Sequence, residues 1–296
     1  SSGGSILHVG TGNFGLSAAQ VTGAGGDLST NGLLTLTADS WTNSGVLQAG
    51  QLVINIGNFT QTTSGQLLAG NSFTGSGNNW VNHGLLASDG NFSLNLSGAY
   101  SGDGQATSLG DLNLSAGSIS LSNSARIAGG ELTSVSATGL LSNLGKLTSA
   151  GDLSVTANTL NNRGTLGSAE NLRLVAPTLL NEYGLIFSGE DMTLRVNSFS
   201  NKFADVYSLG ALSIAKNDQL DQADTVENIS ATLESAGDIR INAQTLDNRT
   251  DVYSLGRELI SGFIAVRCYD CSGDHYTVDY VAKEFYEGSV LDDSPS

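Results

Sequence analysis

The chain has 296 residues, of which 38 are Gly and only 2 Pro, with 14% charged residues and a formal net charge of −16. Scarce Lys, Glu and Gln among abundant Ser, Thr, Asn and Gly argue against a helical domain, while 39% apolar residues at even spacing argue against disorder. No Lys or Arg precedes Arg126 and no basic patch follows it, which argues against nucleic acid or an anionic membrane as partner and leaves the acidity as a solubility device.

Ser1-Ser2-Gly3-Gly4 reads as a cut inside a longer chain, without a signal peptide. A repeat of about 20 residues then takes over. One row of apolar landmarks runs Leu34, Leu52, Phe73, Phe92, Leu112, Leu132, Leu153, Leu172, Met192, Leu212, Ile239 and Leu259. Most have an apolar partner two residues on, as Leu36, Ile54, Leu94 and Leu114 do. That alternation is a strand with one buried face.

A second row is asparagine: Asn43, Asn82, Asn123, Asn143, Asn162, Asn181, Asn201, Asn228 and Asn248. An apolar residue stands two places before each, from Trp41 and Trp80 to Leu246, and another returns a few residues later, as at Leu47, Leu86, Ile127, Leu147 and Leu166. The Asn residues are expected at sharp corners in the left-handed backbone conformation. Their amides are expected to bond up the stack, and Gly45, Gly84, Gly145, Gly164 and Gly184 support the corner reading.

A coil of this length holds two or three short strands and cannot bury its own inner face, so neighbours must stack. The connections are too short for the helices of leucine-rich repeats. The expected fold is all-β, a right-handed parallel β-helix over residues 1–258 of some twelve coils, on the order of 55 Å long at the usual strand spacing. Both rows share one interval of 27 residues, which puts an insertion within about 215–226. The sextet Asp205–Gly210 recurs as Asp251–Gly256 on its far side. Residues 259–296 are expected to form a hairpin-like segment outside the repeat and a return to the solenoid.

The pattern L-x-N-x-G-x-L followed by A-G-D-L-x-L, seen at Leu141–Leu147 with Ala150–Val155 and at Leu160–Leu166 with Ala169–Leu174, resembles the haemagglutinin repeats of two-partner-secreted exoproteins. That family includes filamentous haemagglutinins and the toxins of contact-dependent growth inhibition, and the resemblance covers roughly residues 30–260. The segment Cys268–Tyr286 is similar to one that interrupts such repeats. The resemblance implies a right-handed parallel β-helix, export through an outer-membrane transporter of the Omp85 class, and a place on the surface of a Gram-negative bacterium. It implies no catalytic residues and no cofactor.

Three features stand outside the repeat. Cys268 and Cys271 suit a disulfide across a turn in an exported protein, with free thiols or a metal site completed by His275 and Asp270 or Asp274 as alternatives. Tyr269, Tyr276, Tyr280 and Tyr286 are candidates for a receptor contact on a projecting hairpin, or for a cover over the solenoid flank. Asp218, Asp221 and Asp224 in the acidic insertion are candidates for the same contact, or for a passive loop. The longest apolar run, Phe263–Val266, is far short of a membrane span. The expected role is a structural, adhesive shaft segment that extends toward a target cell. A receptor-binding module for an outer-membrane protein or surface glycan is the alternative, and a polysaccharide-processing enzyme on the same fold a remote one.

Overall fold

The computed structural model describes residues 4–251, apart from the side chains of residues 22–24, and the backbone alone of Leu255–Asp270 and Thr277–Leu291. The chain divides into two units, Ser1–Arg249 and Thr250–Ser296.

The first unit is a parallel β-helix, in which 29 strands form one continuous sheet with no helix among the described residues. One coil runs through Met192–Arg195, Ser198–Lys202 and Asp205–Ser208, and each of these strands pairs in parallel with its counterpart one coil before and one coil after. Every coil thus contributes one strand to each of three faces, and corners between them complete the turn. In the earlier coils the first two strands run on as one, as in Leu33–Asn43 and Thr133–Asn143. Register carries the first-face row through twelve coils: Phe14, Leu34, Leu52, Phe73, Phe92, Leu112, Thr133, Leu153, Leu172, Met192, Leu212 and Ile239.

That row corrects the sequence reading at one place. Leu132 was expected in it, but Leu132 is exposed and Thr133 occupies the buried site. The corner before it has the usual length, six residues from Ile127 to Thr133 as from Leu147 to Leu153, and the shift comes from the corner before that, where Leu121 to Arg126 takes two residues more than Asn143 to Lys146. The Thr133 hydroxyl keeps itself satisfied there, accepting from the Gly129 N–H at 3.0 Å and donating to the Thr148 carbonyl at 3.2 Å. Leu259, the last landmark, lies in the second unit, where Leu255–Asp270 and Thr277–Leu291 pair as an antiparallel hairpin.

The core is a set of columns. The second face stacks Trp41, Phe59, Trp80, Tyr100, Ile119, Leu141, Leu160, Leu179, Phe199 and Val226. The third face stacks Leu47, Leu67, Leu86, Ala106, Ile127, Leu147, Leu166, Ile186 and Val206. Each buried leucine- or phenylalanine-sized side chain is worth about 1.5–3 kcal/mol. It gains that only when the coils above and below are present. In the early coils the column is aromatic. Phe73 stacks on Phe92 at 4.4 Å, and Trp80 packs against Phe59 at 4.8 Å. Gly75 makes room for them, because a Cβ there would stand 2.6 Å from Leu94 Cδ1 and 3.0 Å from Trp80 Cη2.

Candidate interaction surface

The asparagine residues sit on the inside of the corner between the second and third faces. Asn143 Nδ2 donates to Asn162 Oδ1, Asn162 to Asn181, Asn181 to Asn201, Asn201 to Asn228 and Asn228 to Asn248, all at 2.8–2.9 Å. A shorter run joins Asn43 Nδ2 to Gln61 Oε1, while Asn82 Nδ2 donates to the Tyr100 hydroxyl. Two expectations need correction. Asn123 is exposed in a turn, and the register places Leu121 in the column instead. Asn143 Oδ1, which would take the next donor, is buried without a partner as a result. None of these asparagines adopts the left-handed conformation; the non-glycine residues with positive φ among those described are Tyr183, Phe203, Leu220 and Ser230. The column is held by amide hydrogen bonding. Glycines such as Gly84 and Gly164 serve close coil-on-coil approach, since a Cβ would run into the carbonyl of the coil before.

A serine column at the next corner was missed. Ser168 donates to the carbonyls of Gly151 and Asn171, and Ser208 to those of Glu190 and Ala211. The signal was present as a Ser four residues before Phe92, Leu112, Leu153, Leu172, Met192, Leu212 and Ile239. Beside it, on the outside, Asp152, Asn171 and Asp191 each accept the backbone N–H of the following coil. Part of the chain's acidity is therefore corner stitching.

The insertion occupies the stretch between the strands Leu212–Ala215 and Ala223–Ile229, and its acids are already engaged. Asp218 takes a bidentate bond from Arg173 at 3.0 and 2.8 Å and a third from Arg195 Nε at 2.9 Å. Arg195 is nearly buried and also donates to the carbonyls of Leu194 and Ser213. These arginines hold the Asp218 carboxyl below the usual carboxylate range, Arg173 contributing most. Asp221 accepts from Asn217 at 2.8 Å and Asp224 pairs with Lys216 at 3.3 Å. The loop is a strap fastened across the first face of the two coils below it.

Three consecutive coils carry one extra corner residue. Where Asn143 and Asn162 are followed two residues on by glycine, Asn181, Asn201 and Asn228 are followed by Tyr183, Phe203 and Ser230, at φ 55°, 48° and 46°. An aromatic side chain in this conformation is strained by about 1–2 kcal/mol, and strain of this kind gathers at functional sites. The two rings stack at 5.4 Å, nearly parallel, and Tyr183 is 67% exposed. On the adjoining third face Leu185, Phe187, Tyr207 and Leu209 line a cleft of about 510 Å³. Periodicity could not flag this patch, because its residues fall on outward positions.

The expectations for Cys268, Cys271, Asp270, Asp274, His275, Tyr269, Tyr276, Tyr280 and Tyr286 fall on side chains outside the described residues. Among the described residues no group of His, Cys, Asp and Glu is placed to hold a metal, and no helix is long and apolar enough to cross a membrane.

Residues 148–254 match the haemagglutinin repeat family. That stretch of coils carries the haemagglutinin repeat. It is 28% identical over 252 residues to "Deoxyribonuclease CdiA" of Dickeya dadantii (strain 3937), a match that covers 80% of this chain. The chain spans only 7% of the length of that curated relative. No solved structure matches. The repeat and the relative make the segment part of a secreted, cell-surface exoprotein of a Gram-negative bacterium.

Proposed function

We propose that this segment is a structural, adhesive shaft of an exported filament that extends toward a target cell. The observation that carries the reading is the unbroken stack of coils bearing the haemagglutinin repeat. A stack held by every neighbour has the stiffness of a spacer. Export through an Omp85-class transporter belongs to the same proposal, as does the absence of enzymatic activity in these coils. The relative's deoxyribonuclease name belongs to a protein of which this match is a small part.

A second reading, a receptor-binding module, is favoured by the strained aromatic corner and the apolar cleft beside it. Large exposed apolar patches on soluble proteins mark interaction sites. Binding of the labelled chain to intact Gram-negative cells separates the two. Saturable binding makes this segment a point of contact. No binding by chain that circular dichroism reports as folded leaves it a shaft and sinks the second reading.

A further inference from the structure

The cleft on the third face has a chemistry more specific than apolarity. Neighbouring coils present Lys146, Thr148, Thr165 and Gly167 at the outward positions on one side and Thr232 and Glu234 on the other. Between them stand Leu185 and Phe187, then Asp205 and Tyr207. Phe187 lies over Gly167, where a Cβ would collide with its ring, so the ring is seated by the absence of a side chain one coil earlier. The cleft therefore offers two aromatic rings and two carboxylates, Asp205 and Glu234, with Leu185 and Leu209 at its rim.

No cation among the described residues neutralises those carboxylates. Glu182 pairs with Arg163, Glu227 with Lys202, and Asp218 with Arg173 and Arg195. Arg163, Arg173, Arg195 and Lys202 are thereby engaged, and neither Asp205 nor Glu234 has an ion-pair partner among the described residues. Aromatic faces attract cations through their quadrupole, and carboxylates bind guanidinium or ammonium through charge-assisted hydrogen bonds. An anionic glycan would be repelled here, on a chain of net charge −16, and a neutral one would donate hydroxyls to the carboxylates without the opposite charge that a cation brings.

We infer that this cleft docks an arginine or lysine side chain flanked by apolar residues, on an exposed loop of a partner protein. The inference deepens the receptor-binding reading and rests on it for biological meaning, although the site itself can be tested without cells. The probe is a fluorescein-labelled Gly-Leu-Arg-Leu-Gly peptide, titrated with the full chain and followed by fluorescence anisotropy. The same peptide with citrulline in place of arginine, and maltohexaose as competitor, serve as neutral ligands. Tyr207→Ser and the pair Asp205→Asn with Glu234→Gln should each weaken binding roughly tenfold. The pair Asp39→Asn with Asp89→Asn, which removes the same charge far from the cleft, should leave it unchanged. Thermal unfolding confirms that each variant is folded.

Loss on the cleft variants alone, with weak binding of the citrulline peptide, supports the inference. Equal binding by all variants means diffuse charge attraction and overturns it. So does no binding by the parent chain, or displacement by maltohexaose that Tyr207→Ser abolishes. Binding of the chain to cells with no binding of the peptide would retain the receptor-binding reading and reject this site.

Discussion

The early coils, from Trp41 to Tyr100, and the later ones, from Asn143 to Asn248, solve the same stacking problem with different materials. Early on, the second face is filled by rings. Trp80, Phe73 and Phe92 interdigitate, Gly75 gives way, and the amide column is short, ending where Asn82 meets the Tyr100 hydroxyl. Later the apolar column is aliphatic apart from Phe199, and the amides run unbroken from coil to coil. Between the two lies a coil with Leu121 in the amide position, where neither device operates. The difference teaches that coil register can be set by volume or by hydrogen bonding. The first tolerates irregular columns, and the second demands the same residue at each step.

Removal of the largest ring should give the largest effect. Trp80→Ala leaves a cavity among Phe59 and Phe73 and orphans the Ile56 carbonyl that its indole N–H reaches at 3.0 Å. A loss of about 3–5 kcal/mol in denaturant unfolding is expected. A loss under 1 kcal/mol would mean that volume does not hold the early coils.

Asn181→Ala tests the other half. It strips a bonded partner from both Asn162 and Asn201 in a buried column, and should cost roughly 2–4 kcal/mol. Asn181→Leu should recover little of that, since a leucine neither donates nor accepts. If leucine restores full stability, the ladder is mere filling.

Tyr100 joins the two halves and carries a pH signature. Burial pushes its hydroxyl up to about 12, partly offset by the Asn82 hydrogen bond. A raised folded pKa keeps its contribution whole below the unfolded value near 10. The contribution is then lost as pH rises toward 12, up to roughly 2–3 kcal/mol. Tyr100→Phe should flatten that alkaline limb of the stability curve, and an unchanged limb would contradict the burial of this group.

Leu121→Asn should change stability by less than about 1 kcal/mol despite replacing a buried leucine, because it gives the orphaned Asn143 Oδ1 a donor. A large loss would show that the coils on either side are not in ladder register.

The smallest and most local effect belongs to the strap. Asp218 has its pKa lowered by Arg173 and Arg195. Its contribution is therefore present above the ordinary carboxylate range and disappears as pH falls through the depressed value. Hydrogen exchange of the amides of residues 216–222 should quicken at that acid end. In Asp218→Asn it should be quick at every pH, with global unfolding nearly unchanged.

Much of the fold was legible because a stacked coil imposes its period on the sequence. Leu34 to Leu212 and Trp41 to Val226 each repeat since each needs the residue one coil away. The reading slipped in the coil whose corner from Leu121 to Arg126 is two residues longer than its neighbours', choosing Leu132 over Thr133 and Asn123 over the Leu121 position. A residue's face depends on the backbone path through the corner, and that path leaves no periodic trace. The serine column escaped notice because serine is common on the surface as well.

The sequence by itself determined that this chain repeats, that the repeat is a strand-and-corner coil, and that an insertion of polar residues interrupts it near residue 220. Only the tertiary structure decided that Asp218 reaches Arg173, 45 residues earlier, and that Tyr183 meets Phe203. It also gathered Phe187, Tyr207, Asp205 and Glu234 into one cleft. Inward residues answer to a periodic constraint that every coil writes again. Outward ones are free of it, and which of them become neighbours is fixed by how one coil lies upon the next.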